Sequence, residues 1–169
     1  YVPRIEKTER VGHMLPLSFA QQRLWFLDRL LPDRALYNIP GALYAKGELD
    51  AEVLRQSLAD LVERHEGLRS TFTDVDGKAM QVIHEEMAIA LGVSDLHMLG
   101  EEAKQEAVKE LARADARMPF DLEQGPLLRT HLVQLAEEEH IILFNMHHIV
   151  SDGWSMGIFL RELRALYEA

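Results

Sequence analysis

The chain has no cysteine among its 169 residues. That excludes a disulfide, a thiolate nucleophile and a cysteine metal site, and it fits a reducing, cytoplasmic compartment. Long apolar runs are also missing. None reaches the ~20 residues that span a bilayer, and no charged-then-apolar leader opens the sequence, so no membrane is expected as a partner. Positive charge is scarce: 18 Lys and Arg against 28 Asp and Glu leave a net charge of −10. Sequence-independent binding of nucleic acid needs clustered cations to displace counterions, so nucleic acid is not expected either. The acidic residues are dispersed. Their longest run, Glu137-Glu138-Glu139, reads as a solvated hairpin tip. No His-Glu-x-x-His, serine elbow or internal repeat is present.

What remains is enough for one domain with a real core. Residues 1–14 are polar and read as a linker or edge segment; residues 15–169 read as the folded unit. The first residue is Tyr1 rather than methionine, and Tyr167-Glu168-Ala169 ends inside a helical pattern without a stop. Both suggest a piece of a longer chain.

Ser18, with Gln21 three residues on, has capping-box spacing and predicts a helix over 19–31, stopped by Pro32. A strand follows over 37–46. Asp50 is a good N-cap for a helix over 51–66, with Gly67 as its stop. Strands over 68–74 and 78–83 flank Asp76-Gly77, a hairpin signal. A further strand over 87–93 and an amphipathic helix over 101–117 come next. Strands over 127–135 and 140–146 flank the acidic tip. Met156, Leu160, Leu163 and Tyr167 then repeat at helical spacing. This order predicts an α/β (α+β) sandwich, a mixed or mostly antiparallel sheet covered by helices.

The most informative run is Met146-His147-His148-Ile149-Val150-Ser151-Asp152-Gly153-Trp154-Ser155. It reads strand, titratable side chains, turn, helix start. Ile141 to Phe144 are apolar on both parities, as in a strand buried on both faces. Neighbouring strand side chains point to opposite sides. If His147 and His148 continue the strand, they do not both face one substrate or one metal: one looks into a cavity and the other packs behind it. Asp152 either reaches back across the turn or pairs with a distant arginine. The Gly153 and Trp154 amides, at a helix start, suit a developing oxyanion. A histidine can accept a proton at neutral pH, and the nucleophile is expected to come from a substrate. No metal is expected.

The same run resembles the His-His-x-x-x-Asp-Gly signature of nonribosomal peptide synthetase condensation domains, which is shared with acyltransferases of the chloramphenicol acetyltransferase-like superfamily. Ser18-Phe19-Ala20-Gln21-Gln22-Arg23-Leu24-Trp25-Phe26-Leu27 is similar to that family's first motif. Arg64-His65-Glu66-Gly67-Leu68-Arg69-Ser70-Thr71-Phe72 is similar to its second, with Ser70 where threonine is usual. Pro119-Phe120-Asp121-Leu122 and Gly125-Pro126-Leu127 resemble the segment before the catalytic strand.

The resemblance implies a chloramphenicol acetyltransferase-like lobe, the N-terminal one of two, with the C-terminal lobe absent. It implies amide-bond formation between a donor acyl group on an upstream peptidyl carrier protein and the amine of an aminoacyl thioester on a downstream one. The first motif looks like that of domains taking an L-configured donor. Phosphopantetheine would be carried by those partners, with no cofactor bound directly. His148 would be catalytic, as base or as positioning group. His147 and Asp152 would support the architecture with Gly153 and Trp154, and Asp152 would form a buried ion pair with Arg64 or, failing that, Arg69. The isolated lobe is expected to be inactive. Two other readings compete: a coenzyme A-dependent acyltransferase of the same superfamily, and a non-catalytic lobe that docks carrier proteins.

Plainer structural roles suit the remaining residues. Ser18 and Gln21 are explained by capping. Trp25, Phe26 and Leu30 read as core, and Arg23 as a salt-bridge former or ligand contact. His65 and Glu66 read as structural. His13, His84, His97, His131 and His140 read as isolated surface residues, and Met80, Met87 and Met98 as packing.

Overall fold

The computed structural model describes residues 14–169. Of the expected linker or edge segment, only Met14 falls among them, and it opens the first strand. Strand β1 (Met14–Pro16) leads into helix α1 (Phe19–Leu30). Ser18 Oγ accepts the Gln21 amide at 3.2 Å and the Gln21 side chain accepts the Ser18 amide at 2.9 Å, which completes the capping box. Strand β2 (Asn38–Lys46) and helix α2 (Ala51–Arg64) follow, and Asp50 caps α2 through the amides of Glu52 and Val53. The hairpin of β3 (Ser70–Val75) and β4 (Lys78–Ile83) turns at Asp76 and Gly77, both at positive φ (52° and 78°). Two consecutive left-handed residues match the right-handed twist of the strands. Then come β5 (Leu91–Asp95), α3 (Glu101–Arg117), β6 (Leu128–Ala136), β7 (Glu139–His147) and α4 (Gly153–Tyr167).

The main sheet runs β2-β7-β6-β5. It is mixed: β2 and β6 flank β7 antiparallel, and β5 joins β6 parallel. Strand β7 is central and buried on both faces, as its doubly apolar sequence predicts. On one face Leu128, Leu132, Ile142, Phe144 and Met146 pack against Leu54, Leu58 and Leu61 of α2 and Phe159 and Leu163 of α4. Burying each such side chain contributes roughly 1.5–3 kcal/mol.

The other face receives the C-terminal end of α3, whose last carbonyls have no partner within the helix. Asn38 Nδ2 donates to the Ala116 and Met118 carbonyls, and Asn145 Nδ2 to that of Asp115. Arg129 holds the Asp115 carboxylate at 2.8 Å and the Met118 carbonyl at 2.7 Å. A smaller antiparallel sheet, β1-β4-β3, carries a second core of Leu17, Phe72, Phe120, Leu122, Leu127 and Ile149.

Several sequence expectations need correction. Helix α2 stops at Arg64, not at Glu66, because His65 is extended and a 3-10 turn (Glu66–Arg69) takes over. The His65 ring is committed to Glu162 on α4 at 2.7 Å, a tertiary tie no local pattern shows. Strand β5 begins at Leu91 rather than near Met87, since its extent follows the parallel register with β6. Phe26, Leu30 and Met98 are exposed rather than core or packing. His140 is buried, because it shares a strand face with Ile142 and Phe144. His84 and His131 are partly buried, and each ring contacts a hydroxyl oxygen, those of Thr71 and Ser94.

Candidate active site

His147 closes β7 and His148 opens the turn that leads to α4. Main-chain bonds fix both positions: the His147 amide donates to the Leu127 carbonyl at 3.1 Å and the His148 amide to that of Tyr37 at 2.9 Å. The Val150 amide and the Ser151 hydroxyl both close back on the His147 carbonyl at 3.1 Å.

The expected alternation does not apply, because His148 lies beyond β7 in the turn; the two rings still part, one buried and the other exposed, and neither lines the cavity beside the turn. The His147 ring is fully buried between the rings of Tyr37 and Phe120, with centroids at 6.4 and 6.2 Å. Its Nδ1 accepts the Ile149 amide at 3.1 Å, so that nitrogen carries no proton. Burial, then the charges of His148 and Arg34, push its pKa down to about 4. The His148 ring is exposed. Its Nδ1 lies 2.7 Å from the Ser151 carbonyl oxygen. A carbonyl only accepts, so Nδ1 bears the proton and the neutral ring keeps its lone pair on Nε2.

Asp152 is the N-cap of α4. Its carboxylate accepts the Ser155 amide at 2.7 Å, and Ser155 Oγ accepts the Asp152 amide at 2.7 Å. Hydrogen bonds from the Ser155 amide and then the Ser155 side chain hold the Asp152 carboxyl below its usual range, with smaller help from the Trp154 amide and from the charge of His148. The expectation of a buried Asp152–arginine pair is therefore not met. Asp152 is exposed. Arg64 approaches Glu162 at 3.8 Å, and Arg69 donates to the His84 and Glu63 carbonyls at 2.5 and 3.2 Å. The local cap at the helix start satisfies the carboxylate that the distant arginines were expected to hold. The Trp154 side chain is 82% exposed. Gly153 is the first residue of α4.

A cavity of about 430 Å³ lies behind the turn, between the end of α2 and the start of α4. Leu61, Leu68, Met146 and Phe159 give it apolar walls, and Arg64, His65, Ser151 and Ser155 are its polar margin. Arg64 thus comes to the site without pairing with Asp152.

Other residues around the histidines went unread in the sequence. Asp28, on the same α1 face as Leu24 and Trp25, is buried and accepts from Arg34 at 3.0 Å. Arg34 also donates to the Phe120 carbonyl at 3.4 Å. A carboxylate in phase with Leu24 was the available signal.

The condensation-domain family model matches residues 11–169. A component of the linear gramicidin synthase of Brevibacillus parabrevis is 58% identical over 92% of this chain, and malpibaldin synthetase of Mortierella alpina is 44% identical over 99%. The match covers 3% of each of those proteins. The solved starter condensation domain of rhizomide synthetase RzmA superposes with a TM-score of 0.85 at 28% identity, over 91% of this chain and 38% of that one. A mutant of that domain has been solved in complex with C8-CoA and Leu-SNAC. The chain belongs to the condensation-domain family of the nonribosomal peptide synthetases, has its chloramphenicol acetyltransferase-like fold, and covers the N-terminal part of the domain.

Proposed function

We propose that this chain is the active-site-motif lobe of a domain that joins two carrier-bound substrates. The donor is an acyl thioester, of L configuration, on the phosphopantetheine arm of an upstream peptidyl carrier protein. The acceptor is an aminoacyl thioester on a downstream carrier. Its amine nitrogen attacks the donor thioester carbonyl. A C–N bond forms and the C–S bond breaks. The amine proton passes to His148 Nε2 and from there to the departing thiolate. The phosphopantetheine arms arrive with the substrates, and this reading asks the chain to hold no cofactor of its own. The same reading puts the reaction in the cytoplasm.

One observation carries the assignment of His148. Its Nδ1–H is spent on the Ser151 carbonyl, which leaves Nε2 as an exposed acceptor. A thioester is already activated and an α-amine has a pKa of about 8, so holding the amine in line contributes as much as base strength. His147 supports from behind, Asp152 fixes the start of α4, and Gly153 leaves the entry to that helix open. Arg64 and Arg69 tie the end of α2 and the 3-10 turn beside the cavity.

A coenzyme A-linked donor is the second reading. It is favoured by the rhizomide starter domain mutant, whose complex holds C8-CoA. The test is to restore the rest of the domain and offer the acyl group on a carrier or on free coenzyme A, with an aminoacyl carrier as acceptor. Product from the carrier-bound donor supports the first reading, and product from free acyl-coenzyme A alone supports the second. If neither donor reacts with wild type and His148→Ala alike, the lobe only docks carriers.

A further inference from the structure

Asp28 is the residue of α1 that most needs explaining. It is a carboxylate, 4% exposed, in the last turn of a helix, where the macrodipole disfavours an anion. Its position does nothing for α1. Its partner is Arg34, beyond the helix, at 3.0 Å, and its second oxygen has no hydrogen-bond partner among the described residues. A buried ion pair is weak evidence of added stability, and in some proteins it fixes a geometry instead.

The geometry it fixes leads to the histidines. Arg34 donates to the Phe120 carbonyl, and the Phe120 ring stands edge-on to the buried His147 ring. His147 in turn accepts the Ile149 amide at Nδ1 and anchors the turn through its carbonyl. Protonation of His147 would put a hydrogen on Nδ1 opposite the Ile149 N–H, two donors face to face. The turn that presents His148 therefore requires a neutral His147. Among the described residues, the charged and titratable groups around that ring are His148 on the turn, Arg34 and Tyr37 before β2, Asp28 on α1, and Arg129, which lies over the Phe120 ring at 3.8 Å and is paired with Asp115 of α3.

We propose that Arg34, anchored by Asp28, is a positioning residue for the histidine pair: it holds Phe120 against His147, keeps His147 the neutral acceptor of the Ile149 amide, and so fixes the turn that carries His148. Its bearing on catalysis rests on the function proposed above. Its effect on His147 does not.

The test is a ring-nitrogen titration of the histidine-labelled chain by NMR, with His147→Gln to assign the signal. Asp28→Asn is nearly isosteric, and it separates two mechanisms by sign. If Asp28 acts only as a nearby anion, its removal makes the His147 cation less favourable and the midpoint falls. If Asp28 acts by anchoring Arg34, its removal frees a half-exposed guanidinium to leave for solvent, and the midpoint rises, by roughly one pH unit. A rise is the expected result, reproduced by Arg34→Gln and absent in Arg34→Lys. A fall or no change in Asp28→Asn overturns the proposal, as does a lysine variant that titrates like the glutamine one. Should Arg34→Gln fail to fold, the sign in Asp28→Asn decides. In the restored domain, Asp28→Asn is expected to lower kcat several-fold at unchanged KM for the loaded carriers. An inactive wild type there would refute the proposed function and leave the titration result standing.

Discussion

His147 and His148 are neighbours in sequence and opposites in protonation: the first accepts at Nδ1, from Ile149, and the second donates at Nδ1, to Ser151. One ring is buried and the other exposed. Of the pair, only His148 thus keeps an exposed acceptor nitrogen, the one to which the proposed function assigns the amine proton.

Replacing His148 with alanine in the restored domain should cut dipeptidyl thioester formation by about 10²–10⁴-fold, the usual range for a positioned proton acceptor. Folding should survive, because the ring is exposed and its bond is to one carbonyl. Mass spectrometry of loaded carriers reads the first effect, and a melting curve the second. Undiminished product would remove His148 from the mechanism.

His147 makes stability depend on pH in a defined window. Its folded pKa is depressed to about 4, while an unfolded histidine titrates near 6.5. Between these values the unfolded chain binds the extra proton, so acid favours unfolding. The contribution, on the order of 3 kcal/mol, is fully present above pH ~6.5 and is lost as pH falls toward 4. The melting temperature should fall through that window, and the fall should be shallower in His147→Gln. Parallel slopes would show that His147 does not set it.

Asp152→Ala should lower the melting temperature less than Leu58→Ala, a core truncation of the kind that costs about 2–5 kcal/mol. Asp152→Ser should recover most of the loss, because serine also caps. A double-mutant cycle of Asp152→Ala with Arg64→Ala should show no coupling, since Arg64 serves Glu162 instead. Strong coupling would restore the ion pair expected from the sequence.

Asp152 also shows where sequence reading stops. Local signals were legible in full: the Ser18–Gln21 capping box, the Asp76-Gly77 hairpin, and α3 over Glu101–Arg117 with matching bounds. Each is decided within a few residues by backbone donors and turn conformations. The alternation along β7 accounts for the buried His147 but not for His148, which lies beyond the strand in a turn fixed by the Tyr37 carbonyl. What failed depended on groups brought together from a distance. Asp152 had two possible partners, a local amide and a remote arginine, and spacing alone does not rank them. His65 leaves α2 because Glu162 on α4 receives it. The Asp28–Arg34 pair crosses only six positions, yet its meaning lies in Phe120 and His147, more than eighty residues on.

The last prediction concerns the chain by itself. It spans 38% of the solved rhizomide domain, and His148 stands exposed. Helix α1 bears Phe19, Phe26 and Leu30 on one outward stripe, 91%, 58% and 63% exposed, and Trp154, 82% exposed, stands out beside the turn that carries His148. Apolar surface of that kind marks an interaction site. We expect the purified chain to fold and to self-associate, and to do so less when Phe26 and Leu30 are replaced by serine, with little change in melting temperature. Sedimentation at several concentrations measures this. We also expect no useful turnover with loaded donor and acceptor carriers. On the function proposed above, two pantetheine arms meet at His148 Nε2 in line, and without an opposing wall the alignment that supplies up to about 7–11 kcal/mol of barrier reduction would be forfeited. Adding the remainder of the domain in trans should both dissolve the self-association and restore product. Turnover by the chain alone, near that of the complete domain, would mean that one lobe aligns both substrates, and the need for a second wall would have to be abandoned.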